Sequence, residues 1–128
     1  MVIDTSAIVA ILFDEPERAN FIHQIKIAEK RLISAPTLLE SEIVVQARKG
    51  ISGRSQLELF IHEAQIIVVP FDQAQVNLAI RAWQDYGKSQ HPAGLNFGDC
   101  FSYALAKATG EPLLFKGVDF AQTDITSC

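Results

Sequence analysis

Apolar residues along the chain fall into two alternating kinds of stretch: short runs of three or four, and longer segments with apolar positions at helical spacing. Met1 to Ile3 predicts a strand that starts at the first residue. A helix is predicted over Ser6 to Phe13 and a second over Pro16 to Glu29, with Pro16 suited to a first turn. Leu32 to Ser34 predicts the second strand, Pro36 to Arg48 a helix that stops at Gly50, and Ser55 to Ala64 a further helix. Ile66 to Val69, closed by Pro70, is the third strand. Val76, Ala79, Ile80 and Trp83 recur at helical spacing within Gln73 to Tyr86, which Gly87 ends. The stretch KSQHPAGLN is a loop, and Phe97 to Ala108 is a helix that stops at Gly110. Leu113 to Phe115 is the fourth strand, with a last short strand expected around Ile125. Trp83, Phe97 and Phe101 are assigned to the core.

Strands that alternate with helices imply an α/β fold, a parallel sheet covered on both faces. Ligands of such sheets bind beyond the carboxyl ends of the strands. Acids just after a strand, or on the helix beside it, therefore become the residues of interest. Asp4 follows the first strand directly. An aspartate there is a natural helix cap, but Thr5 and Ser6 could cap instead and leave Asp4 free. Glu40 and Glu42 sit on one helix about 200° apart, so only one of them can face a given cleft. Glu42 shares a polar stripe with Gln46 and Lys49 and reads as solvated. Glu40 aligns with Ile43, Val44 and Ala47, and an acid on an apolar flank needs a partner. Asp99 stands three residues after Asn96, in the spacing of a capping box, and off the apolar face of its helix. Asp119 comes just past the fourth strand in LLFKGVDF, as a turn acid or a ligand, with Asp124 as the second candidate there.

Composition narrows the chemistry. The 128 residues fit one domain spanning 1–128. The amino terminus lacks the basic and apolar regions of a secretory signal, and no apolar stretch approaches a bilayer's thickness, so a cytoplasmic protein is expected. Cys100 and Cys128 have no metal-ligand spacing, and His23, His62 and His91 fall into no ligand motif. The formal charge of −4 argues against a basic nucleic-acid binder, unless acids gathered in one cleft are offset by bound cations. Clustered carboxylates repel one another unless a cation sits among them, and oxygen-only ligands favour hard ions such as Mg²⁺ or Mn²⁺. A site of that kind performs phosphoryl chemistry.

The run MVIDTSAIVAIL, the segment APTLLESEIVV and the stretch LNFGDCFSYALAKATGEPLLFKGVDFAQTDI, with the spacing between them, resemble PIN-domain ribonucleases. More narrowly they resemble the VapC-type toxins of bacterial VapBC toxin–antitoxin pairs, over essentially the whole chain. The resemblance implies the PIN-like three-layer sandwich, with a central parallel sheet flanked by helices. It implies a Mg²⁺- or Mn²⁺-dependent endoribonuclease whose acids match Asp4, Glu40, Asp99 and Asp119, with Ser6 supporting the metal site. Asp4 and Asp99 would hold the ion, Glu40 would orient the attacking water or share the ion, and Asp119 would complete the cluster. Cleavage would leave a 5′-phosphate and a 3′-hydroxyl. A homodimer and a VapB-type antitoxin in a hetero-oligomer are implied as partners. Many relatives carry two acids after the fourth strand, whereas here Gly117 replaces the first and Asp119 remains. Lys116, Lys88, Arg81 and Arg48 are the candidate phosphate contacts. The competing readings are a phosphoaspartyl protein, whose DxD or DD is absent after Ile3, and a non-catalytic PIN-fold interaction protein.

Overall fold

Residues two apart on a strand share a face, so adjacent residues in each strand of this protein commit to opposite layers. In the computed structural model, which describes all 128 residues, Ile3, Ile33 and Leu114 pack into one apolar cluster and Val2, Leu32 and Leu113 into another. The strands are β1 (Val2–Ile3), β2 (Leu32–Ser34), β3 (Ile67–Val69) and β4 (Leu113–Leu114), all parallel, in the order β3-β2-β1-β4. The helices are α1 (Thr5–Leu12), α2 (Arg18–Ile27), α3 (Ala35–Glu63), α4 (Gln73–Tyr86) and α5 (Phe97–Thr109), with a 3₁₀ turn at Phe120–Gln122. The cluster around Ile3 takes Ile8 and Ile11 from α1, Phe21 from α2, and Val45 and Leu57 from α3. The cluster around Val2 takes Ala82 from α4 and Tyr103 and Leu105 from α5. The result is the expected three-layer α/β sandwich. Each fully buried aliphatic side chain contributes about 1.5–3 kcal/mol to it.

Several boundaries differ from those expected, each for a local reason. Within α3 two helices meet at a kink: the first ends at Gly50 as expected, where a non-helical φ of +70° suits glycine, and the second begins directly after it and not at Ser55. Ile125 lies outside any strand. Its neighbours extend the sheet by a single parallel bridge, Leu113 to Ser127. The core side of α3 is Thr37, Ser41 and Val45, so Ile43 (61% exposed) and Ala47 face outward and the phase expected for that helix is corrected. Trp83 (43% exposed) and Phe97 (81% exposed) are likewise not core. Phe101 is half-buried, edge-on to both Phe71 and Phe97. No helix is long and apolar enough to cross a membrane.

The strand order positions the site. From β1 the chain winds outward through β2 and β3, then returns to place β4 on the other side of β1. The crevice of a doubly wound sheet opens where the winding reverses, here beyond the carboxyl ends of β1 and β4. Asp4 N–H donates to Leu114 O at 3.0 Å and ties those two strand ends together.

Candidate active site

Buried polarity in this protein is concentrated rather than scattered. The buried polar residues are Asp4, Ser34, Thr37, Ser41, Gln75 and Ser102, and all but Gln75 lie at the carboxyl ends of β1 and β2 or on helices that meet them. Polar groups sequestered from water are costly unless bonded, so a cluster of them calls for a reason.

Asp4 is the centre of the cluster. It is 4% exposed and, of the two readings the sequence left open, takes the cap of α1: its Oδ2 accepts from Ser6 N–H at 3.0 Å and from Ser6 Oγ at 2.7 Å. Its Oδ1 accepts from Ser102 Oγ at 2.6 Å. Ser6 Oγ also accepts from Lys116 N–H at 2.9 Å, so the expected supporting serine joins the start of α1 to the segment after β4.

Glu40 comes in from the first turns of α3. Its Oε1 accepts from Thr5 Oγ1 at 2.5 Å. A partner does exist for Glu40, as the sequence demanded, although it is a hydroxyl and not a cation. A Cβ built on Gly98 would stand 2.4 Å from Glu40 Oε2. The missing side chain at Gly98 is therefore the space in which the Glu40 carboxylate lies. Glu42 pairs with Arg54 at 3.8 Å and takes no part.

Asp99 arrives on the first turn of α5. The capping box is complete: Asp99 N–H donates to Asn96 Oδ1 at 2.9 Å, and Asn96 N–H donates to Asp99 Oδ2 at 3.0 Å. Burial pushes the Asp99 carboxyl up to about 6, against the Asn96 N–H, and the charges of Asp4, Asp119 and Glu40 push in the same direction as burial. All four acids thus share one electrostatic neighbourhood. Asp119 is its exposed member, at the head of the 3₁₀ turn.

Gly117 has a φ of +105°, a backbone shape an aspartate would adopt only under strain. That backbone suits the glycine found where the family resemblance led one to look for a further acid. Asp124 is elsewhere: it accepts from Tyr103 Oη at 2.7 Å and from Lys107 Nζ at 2.8 Å. Burial works to raise its carboxyl, but those two donors outweigh it and hold it below the usual range.

Two of the four basic candidates are engaged. Lys116 Nζ pairs with Glu15 at 2.9 Å and Glu17 at 3.3 Å. Arg48 lies over the Phe13 ring. Arg81 and Lys88 are exposed. Thr5, Thr37, Ser41 and Ser102 were not legible as site residues. The available signal was a hydroxyl three residues from an acid on the same helix, as in Thr37 and Glu40 or Asp99 and Ser102.

The donor set is oxygen only, which fits a hard divalent cation. No three carboxylates stand close enough together to cage an ion as they are, and Asp99 and Glu40 are each held through one oxygen.

Comparison with known proteins gives a consistent picture. Residues 1–125 match the family model described as the PIN domain. The chain is 48% identical over 127 residues to "VapC ribonuclease Mb0640" of Mycobacterium bovis, covering 99% of this chain and 97% of that one. It is 47% identical to "Ribonuclease VapC" of Mycolicibacterium smegmatis, covering 99% and 98%. Among solved structures it is similar to VapC20 of Mycobacterium tuberculosis, a sarcin-ricin loop cleaving toxin. The TM-score is 0.77 at 15% identity, over 99% of this chain and 97% of that one. It is also similar to VapBC2 of Rickettsia felis, bound to a DNA fragment from its promoter. There the TM-score is 0.77 at 14% identity, over 98% and 94%.

Proposed function

Because the chain belongs to the PIN-domain family, and within it to the VapC ribonucleases, we propose that it is a metal-dependent endoribonuclease and the toxin of a type II toxin–antitoxin pair. The observation that carries this reading is the convergence on Asp99: acids from β1, α3 and the segment after β4 all raise one carboxyl at the mouth of the sheet. Independent caps and turn acids have no reason to gather at one strand edge. Negative charge held together in this way is suited to a bound cation.

Asp4 and Asp99 carry the oxygens that would hold Mg²⁺ or Mn²⁺, with Glu40 and Asp119 at its flanks. Bound there, the ion supplies charge to an RNA phosphate and to the oxygen that leaves it. The chain's own contribution is orientation. Ser6 and Ser102 fix both oxygens of Asp4. Thr5 fixes Oε1 of Glu40 and leaves Oε2, beside Gly98, to align a water and take its proton. No side-chain nucleophile is required, and direct attack by water at phosphorus leaves a 5′-phosphate and a 3′-hydroxyl.

The chain acts as a single domain in the cytoplasm, held inactive by a VapB-type antitoxin in a hetero-oligomer. A homodimer fits the outer face of α4 and α5. There an apolar cavity of about 740 Å³ is lined by Phe71, Val76, Ile80, Trp83, Phe97 and Phe101. Patches of that kind on a soluble chain mark contact surfaces. Expression of the wild-type chain without an antitoxin should arrest bacterial growth and generate new RNA ends, and the Asp4→Ala chain should do neither. Normal growth with unaltered RNA under the wild type would refute the reading.

A further inference from the structure

Ser102 is fully buried in the middle of α5, where a serine ordinarily turns its hydroxyl back to a carbonyl of its own helix. Thr109 on the same helix does so, donating to Leu105 O at 2.8 Å, and Ser41 on α3 donates to Thr37 O at 2.8 Å. Ser102 instead gives its one proton to Asp4 Oδ1, 2.6 Å away and 98 residues back in the chain. Having spent that proton, its oxygen can only accept from Thr37 Oγ1, which lies 3.4 Å off. The two helices repeat one arrangement: α3 carries Thr37 three residues before Glu40, and α5 carries Ser102 three residues after Asp99. Each acid faces the cleft, while the two hydroxyls meet behind Asp4.

We propose that Ser102, backed by Thr37, is a positioning residue that sets the direction of the Asp4 carboxylate for cation binding. This rests on the metal-site reading above. Ser6 alone would leave Asp4 held by one oxygen and free to swing about it. Ser102 holds the second oxygen, so the carboxylate plane is fixed before any ion arrives. Groups that orient a metal ligand in this way typically contribute about 10- to 100-fold in affinity.

The test is a calorimetric titration of Mn²⁺ into the metal-free full chain, for wild type, Ser102→Ala and Ser102→Cys, with thermal melts of each. Cysteine retains a side-chain heteroatom but is a weak donor. We expect Mn²⁺ to bind at least about tenfold more weakly to both variants, with the melting temperature of at least one close to wild type. A purely structural hydroxyl would instead lower the melting temperature and leave Mn²⁺ affinity within twofold of wild type, and that result overturns the proposal. If Ser102→Ala fails to fold, the cysteine variant decides, since wild-type affinity there also overturns it. A wild-type chain that binds no Mn²⁺ would overturn the metal-site reading itself, and with it this proposal.

Discussion

Asp99 serves two masters, and the conflict is measurable. As the acid of a capping box it completes the start of α5, and as a member of a carboxylate group it carries unwanted charge. Its carboxyl is raised from 3.8 to about 6, first by burial and then by Asp4, Asp119 and Glu40. The folded chain therefore holds this proton more tightly than the unfolded chain. The stabilisation is complete below the unfolded value and is lost as pH rises through the folded one. Between about pH 4 and pH 7 the metal-free wild type should thus lose more thermal stability than Asp99→Asn does. Thermal melts across that range check this, and a steeper loss in the variant would have the wrong sign. Glu40 and Glu42 give the paired test of position. Glu40→Gln should cut RNA cleavage by about 100-fold or more, while Glu42→Gln, whose partner is the half-exposed Arg54, should stay within about twofold. Equal losses in a cleavage assay would contradict the assignment. Asp4, Glu40, Asp99 and Asp119 could be singled out as candidates because acids beside strand ends are few. Ser102 could not, because its only signal, a hydroxyl three residues from an acid within an apolar helical run, is too common to mark it.

Elements explain why these side chains meet. The crevice is set by the order β3-β2-β1-β4, which was not read from the sequence. Alternation of strands and helices predicts a parallel sheet but leaves strand order open. The singling out of Glu40 survived an incorrect phase for α3. Ile43 and Ala47 turned out exposed, and the face that covers the sheet carries Thr37 and Ser41. Hydroxyls on a core-facing stripe defeat a reading built on apolar periodicity alone. The start of α5 supplies a sharper test. Alanine at Gly98 suits a helix better than glycine by about 1 kcal/mol, yet its Cβ would stand 2.4 Å from Glu40 Oε2. The far end of a flexible side chain can move aside, so Gly98→Ala should fold and melt near or above wild type. Displacing Glu40 should nevertheless reduce cleavage by about tenfold or more. A variant with full activity would mean that Glu40 has no fixed post.

At the scale of the whole molecule, charge and apolar surface divide the labour. The net charge of −4 is not offset by free cations near the site, since Lys116 is engaged by Glu15 and Glu17. Under the proposed function, attraction of RNA would then rely on bound divalent ions or on a second subunit. The outer face of α4 and α5 leaves Val76, Ile80, Trp83 and Phe97 exposed around one cavity. If the chain forms the proposed homodimer through this face, Ile80→Lys should sediment as a monomer without a lower melting temperature, and a wild-type chain that is itself monomeric, or an unchanged dimer in the variant, would contradict that placement. The central claim concerns the four acids and their ion, and one assay addresses it directly. Purified wild type and Asp4→Asn are incubated with end-labelled RNA in Mn²⁺, and again with chelator in excess. The account predicts discrete products with 5′-phosphate ends from the wild type in Mn²⁺ alone, abolished by chelation and by the substitution. Undiminished cleavage by the wild type in chelator, or by Asp4→Asn in Mn²⁺, would contradict it.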